Sequence, residues 1–190
     1  ILAMDFLEGE PIESLSGATR TIRDRVAALL LELLFRELFE FGTIQTDPNF
    51  ANYLYNPDTR QLGLLDFGAT RHYPADVTEA YRGLIDAALR ADHAAMSENA
   101  QAIVYFREDI HERQRAAVME LFFMATEPAR TRGCFDFGAR DLAARIRDAG
   151  MALSFNEGYW HTPPADAVFL HRKLGGLYLL AARLHAKVDV

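Results

Sequence analysis

Lysine is nearly absent from this chain: of its 20 basic residues only Lys173 and Lys187 are lysine, so any cation needed earlier must be arginine or histidine. Cysteine occurs once, at Cys134, which excludes an internal disulfide and suits a reducing compartment. There is no basic excess. With a net charge of −7 and a pI near 5.3, the chain offers no cationic footprint to a nucleic acid. The longest apolar stretch, residues 26–41, is interrupted by Glu32, Arg36, Glu37 and Glu40 and falls short of the ~20 apolar residues that cross a bilayer. It reads as a buried central helix. Repeats, low-complexity tracts, an HExxH pattern and paired Cys/His spacings are also missing, which sets aside solenoids, linkers and zinc sites.

What is present is an ordinary globular composition. The 190 residues are 50% hydrophobic and 25% charged, enough for one domain with a substantial core. Residues 1–6 alternate weakly and read as a strand, broken by Glu8, Gly9, Glu10 and Pro11. A helix is expected over 19–41, with Gly42 as its stop. The runs NYLY and QLGLLD, joined by the turn NPDTR, predict a hairpin. Further helices are expected over 75–90 behind Pro74, over 93–104 capped by Asp92, and over 108–125, 138–150 and 165–186. The fold class is therefore mainly α with one or two small β-hairpins.

The most informative segment is DPNFANYLYNPDTRQLGLLDFG, residues 47–68. It sets Asp47, Asn52 and Asp66, the last followed by Phe67 and Gly68, around the predicted hairpin. Pairing the two strands brings Asn52 and Asp66 to one end. Mg2+ takes hard oxygen ligands and keeps several waters, so one amide and one carboxylate beside a phosphate suffice. Asp47, one short loop earlier, can orient or deprotonate a nucleophile approaching a γ-phosphate. A second DFG, Asp136 to Gly138, lacks the upstream Asp and Asn and the leading strand. It reads as a loop and helix start with Asp136 as a cap.

On these residues the chain resembles a known family. The segments ILAMDFLEGEPI, ELFEFGTIQTDPNFANYLYNP, LLDFGATR and LHRKLGG look like the carboxy-terminal lobe of the UbiB family of atypical kinases, most closely its mitochondrial coenzyme Q branch. The resemblance implies a protein-kinase-like fold of which residues 1–190 form the large lobe, with the amino-terminal lobe outside this chain. It implies ATP and Mg2+ as cofactors, Asp47 as the catalytic residue, and Asn52 and Asp66 as metal ligands. Met4 falls at the gatekeeper position, and Asp5, Phe6 and Leu7 fall where the backbone meets the adenine ring. Ubiquinone biosynthesis is the implied setting, with a membrane lipid or a quinone-biosynthesis complex as partners reached through parts outside this chain. A mitochondrial inner-membrane location on the matrix side follows if the source is eukaryotic, and a cytoplasmic, membrane-associated one if bacterial.

Several features depart from ordinary protein kinases. Gln45 and Thr46 stand where most carry His and Arg, and only RHYPADVTEAY follows DFGA, with no APE motif. The missing Arg removes the usual partner of a phosphorylated activation loop, and the missing segment removes a peptide platform. Transfer to water or to a small or lipid-like acceptor is thus expected over transfer to protein. The alternatives are a nucleotide-gated scaffold and a true protein kinase. No lysine or glycine-rich loop precedes the site, so the phosphate-holding lysine must lie outside this chain. Arg71 is expected to meet either nucleotide or a surface carboxylate, and His171 to Lys173 to serve structure.

Overall fold

The computed structural model describes residues 6–47, 49–106, 110–155 and 163–190. At its centre runs α1 (Arg20–Phe39), which buries Val26, Ala27, Leu30, Leu31, Leu34 and Leu38 at helical spacing. Each buried leucine contributes about 1.5–3 kcal/mol by removal from water. The helix ends with the Glu40 and Phe41 N–H groups both on the Arg36 carbonyl, at 2.9 and 3.0 Å, and Gly42 then turns the chain at φ +58°. That left-handed turn is why glycine stands there.

Against α1 pack α2 (Ala75–Leu89) and α7 (Ala165–Arg183); α3 (His93–Ala102) packs on α2 and α4 (Glu112–Ala125), the one-turn α5 (Glu127–Arg130) on the same two helices, and α6 (Leu142–Phe155) on α4 and α7. Asp92 caps α3 as expected, accepting the Ala95 N–H at 3.0 Å. Three expected boundaries shift. α4 begins at Glu112, with residues 107–109 outside the described part. α6 begins at Leu142 and continues to Phe155. α7 stops at Arg183, two residues before His185 takes a left-handed φ of +48°.

The strands form three small antiparallel sheets. β1 (Glu10–Pro11), β3 (Tyr53–Asn56) and β4 (Gln61–Leu64) make one, in the order β1-β3-β4. β2 (Thr43–Gln45) pairs β5 (Thr70–His72), and β6 (Phe135–Asp136) pairs β7 (Lys187–Val188). Glu10 and Pro11, which by composition break a strand, instead pair with Tyr55 and Leu54 along the free edge of β3. Proline is tolerated on such an edge because no ladder bond is asked of its nitrogen. The strand expected over 1–6 lies outside the described residues except for Phe6, which is in no strand.

Between α1, α2, α4, α6 and α7 lies an apolar cavity of about 260 Å³, lined by residues such as Leu34, Leu84, Phe122, His171 and Leu174. Among the described residues no helix is long and apolar enough to cross a membrane. Mainly helical with three small antiparallel sheets, the described residues have the fold class that the sequence predicts.

Candidate functional site

The β3–β4 hairpin is closed by a turn that its own side chains build. Asn56 Oδ1 accepts the N–H groups of Asp58 (2.9 Å) and Thr59 (3.1 Å), and Arg60 takes φ +58°. The register pairs Tyr53 with Leu64, and the Leu65 N–H donates to the Asn52 carbonyl at 2.9 Å. Asn52 and Asp66 therefore emerge at the same open end of the hairpin, 14 positions apart in sequence and one residue off register.

Asp47 and Asn52 touch directly. Asn52 Nδ2 donates to Asp47 Oδ2 at 2.9 Å, while Asp47 Oδ1 accepts the Asn49 N–H at 3.1 Å. Because the Asn52 amide nitrogen is spent on Asp47, its Oδ1 is left to meet a cation. Asp66 is exposed, and its Oδ1 accepts the Gly68 N–H at 2.7 Å. A Cβ at Gly68 would stand 3.1 Å from Asp66 Oδ1, so this close return of the backbone favours glycine.

This donor set suits Mg2+: one amide oxygen and one carboxylate oxygen, both hard, with open space for waters and phosphate. Among the described residues no three His, Cys, Asp or Glu side chains gather to hold a metal. A cation at this hairpin end would thus complete its shell with phosphate and water, as magnesium on a nucleotide does.

Two residues that the sequence shows only as substitutions prove to be connectors. Gln45 is 3% exposed, and its Nε2 donates to the Asp66 carbonyl at 3.3 Å while its Oε1 accepts the Tyr53 hydroxyl at 3.3 Å. Thr46 donates both its N–H (2.9 Å) and its hydroxyl (2.7 Å) to the Ala69 carbonyl. Burial pushes the Tyr53 phenol well up, and the Glu37 and Asp47 carboxylates add to the rise, so it stays protonated as a donor.

Glu37 gives no functional signal in the sequence, sitting in the last turn of α1 between Arg36 and Leu38. It forms a buried ion pair with Lys173 of α7, the two residues being 7% and 4% exposed. Burial pushes the Glu37 carboxyl up and the Lys173 ammonium down, and their contact opposes both changes. The Gln45 backbone N–H also favours the Glu37 carboxylate. The structural role expected for Lys173 is thus a strut between α1 and α7. Arg71 Nε pairs with Asp166 Oδ1 at 2.8 Å, and its guanidinium lies 4.7 Å from the centre of the Phe169 ring. Of its two expected partners, the carboxylate is the one it meets.

Phe6 and Leu7 are exposed at 89% and 44%, with Leu7 lying over Gly63 of β4 beside the hairpin. Met4 and Asp5 lie outside the described residues. In the second DFG, Asp136 accepts the Ala139 N–H at 3.0 Å, but α6 starts only at Leu142, so it caps a turn and not the helix. It also pairs with Lys187 at 2.5 Å, which helps to hold its carboxyl below the usual range. Phe137 is buried at 2%, and a Cβ on Gly138 would stand 2.9 Å from His185 Cα. This copy is a packing device.

Residues 1–100 match the ABC1 atypical kinase-like domain. Over 188 residues the chain is 35% identical to the rat "Atypical kinase COQ8B, mitochondrial", covering 99% of this chain and 35% of that protein. It is 33% identical over 190 residues to the Saccharomyces cerevisiae "Atypical kinase COQ8, mitochondrial", covering 99% of this chain and 38% of the yeast protein. The chain thus spans little more than a third of the length of these curated relatives. Among solved structures, the complex of Rv3197 with erythromycin from Mycobacterium tuberculosis superposes with a TM-score of 0.69 at 19% identity, over 97% of this chain and 46% of that one. At that identity the likeness is one of fold.

Proposed function

The chain belongs to the ABC1 atypical kinase-like family, and on that premise we propose that residues 1–190 are the carboxy-terminal lobe of an ATP-binding atypical kinase or ATPase of the UbiB type. The observation that carries this reading is the Asp47–Asn52 contact at the open end of the hairpin from which Asp66 also emerges.

In this reading Asn52 Oδ1 and Asp66 Oδ2 hold the metal, and Asp47 orients the attacking hydroxyl or water. Bound Mg2+ would neutralise developing charge on the transferred phosphoryl group. Asn52 also acts through its amide nitrogen, which fixes the Asp47 carboxylate, so the metal ligand and the orienting residue move as a unit. Asp47 keeps its second oxygen on the Asn49 N–H, which locks its rotamer without displacing it from half-exposed surroundings. Backbone near Phe6 and Leu7 would border the adenine, together with Met4 and Asp5. A cation for the α- and β-phosphates would come from an upstream lobe, since no lysine precedes Lys173.

The acceptor is water or a small or lipid-like molecule, and the process supported is ubiquinone (coenzyme Q) biosynthesis, in keeping with the relatives named COQ8. Their names are mitochondrial, which supports a mitochondrial setting if the source is eukaryotic. In the full-length protein Asp66→Asn should abolish Mg-dependent nucleotide turnover. Asp47→Ala should retain nucleotide binding and lose turnover. Unchanged turnover in Asp66→Asn overturns the assignment, and cells that tolerate Asp47→Ala favour a nucleotide-gated scaffold.

A further inference from the structure

We propose that Gln45 is a positioning residue, whose buried carboxamide holds the backbone of Asp66 in register with the Asp47 loop. The inference rests on the proposed roles of Asp47 and Asp66, and it adds a residue to which those roles assign nothing.

Its geometry is specific. Gln45 ends β2, two residues before Asp47, and its side chain reaches across to the far arm of the hairpin. The Asp66 carbonyl can only accept, so Nε2 must face it. Oε1 is then left for the Tyr53 hydroxyl, which burial keeps protonated. One carboxamide thus ties together β2, β3 and the segment after β4. The Leu65 N–H is already fixed by the Asn52 carbonyl, and the Gln45 bond pins the peptide between Asp66 and Phe67, so Asp66 is held from both sides. The Asp66 side chain, by contrast, is exposed and, among the described residues, is anchored on the Gly68 N–H two positions away. Its direction is therefore set by the backbone that Gln45 holds.

Stability alone gives little reason for this arrangement. Asp66 is exposed, so its carbonyl can turn to water if Gln45 no longer donates. An isosteric apolar side chain at 45 would keep the packing, lose the alignment and leave the buried Tyr53 hydroxyl without its acceptor. The other side of Gln45 is equally constrained, since its backbone N–H faces Glu37, the partner of Lys173. Core helices α1 and α7 are in this way linked to the metal end of the hairpin.

The test uses the full-length protein and two readouts. The first is the Mg2+ concentration giving half-maximal binding of a fluorescent ATP analogue. Gln45→Leu and Gln45→Met, neither of which can donate to the carbonyl, should raise it about tenfold, as loss of a group that orients a ligand does. Gln45→His keeps one donor and one acceptor in its neutral ring and should stay within about threefold of wild type. The second is hydrogen exchange at Gly68, whose N–H rests on Asp66 Oδ1. It should quicken by about tenfold in Gln45→Leu relative to the buried amides of α1, a comparison that allows for the stability lost when the Tyr53 hydroxyl has no acceptor. If Gln45→Leu does not fold, Tyr53→Phe, which frees Oε1, is read on the same two scales with a smaller change in the same direction. Wild-type Mg2+ dependence together with wild-type exchange at Gly68 in a folded Gln45→Leu protein overturns the proposal. If the wild type itself shows no Mg-dependent binding, the proposed function fails and the exchange readout alone decides the positioning role.

Discussion

Acidification should destabilise this fold through a single half-buried ring that lines the apolar cavity. His171 lies on α7 among Tyr81, Tyr105 and Phe122, with ring centroids 6.1, 5.6 and 5.7 Å away, and its Nε2 meets the Tyr81 hydroxyl at 3.5 Å. That contact is too long to stabilise an imidazolium, and burial pushes the ring from 6.5 down to about 4. The sign follows from linkage: the unfolded chain takes up the proton first, so stability present above pH 6.5 is lost as pH falls towards 4. With those two values the loss is under about 1 kcal/mol at pH 6.5 and grows to roughly 2–3 kcal/mol by pH 4.5. Carboxylates titrate in the same range, so the informative quantity is a difference. His171→Phe preserves an aromatic ring in the cluster and cannot be protonated. Urea unfolding of wild type and variant in parallel should show the variant within about 1 kcal/mol at pH 7.5 and gaining on wild type by the stated amounts as pH falls. A stability difference that stays constant from pH 7.5 to 4.5 refutes the reasoning.

The Glu37–Lys173 pair gives a second test: Lys173→Met alone leaves a buried carboxylate and should cost about 3–5 kcal/mol. The double variant Glu37→Met with Lys173→Met should recover most of that in thermal unfolding, and a double variant as unstable as the single one argues against the charge as the cause. The two DFG glycines should separate cleanly. Gly138→Ala must push on His185 and should cost about 1–3 kcal/mol of stability while leaving Mg-nucleotide binding intact. Gly68→Ala should do the reverse, weakening metal-dependent binding at nearly unchanged melting temperature. Asp66→Asn and Asp47→Ala, assayed for Mg-dependent turnover, test the site itself.

Most helices are legible in the sequence because their signals are local. Gly42 stops α1, Pro74 opens α2 and Asp92 caps α3, and each acts within a turn of where it stands. The two- and three-residue strands are not legible. Glu10–Pro11 pairs with a partner more than 40 positions away, and β6 with one about 50 away, so nothing in either short segment announces a strand. The late start of α6 has the same origin: residues 135–138 are held by the chain terminus through Lys187 and His185, and the helix can begin only beyond them.

The site divides in the same way. Asp47, Asn52 and Asp66 can be picked out because a hairpin is a local structure, and its register is fixed by residues within the segment itself. The parts that hold the hairpin in place cannot. Glu37 and Lys173 are 136 positions apart, and Gln45 looks from sequence like a lost histidine until its amide is found on the Asp66 carbonyl. The two DFG copies make the physical point most sharply. They share three letters, yet one sits at an open hairpin end with its aspartate and phenylalanine exposed, while the other buries its phenylalanine and ties its aspartate to a lysine. A carboxylate committed to a lysine has no oxygen to offer a cation on equal terms. What separates the two is therefore the partner each aspartate already has, and that is set by the fold around the motif and not by the motif.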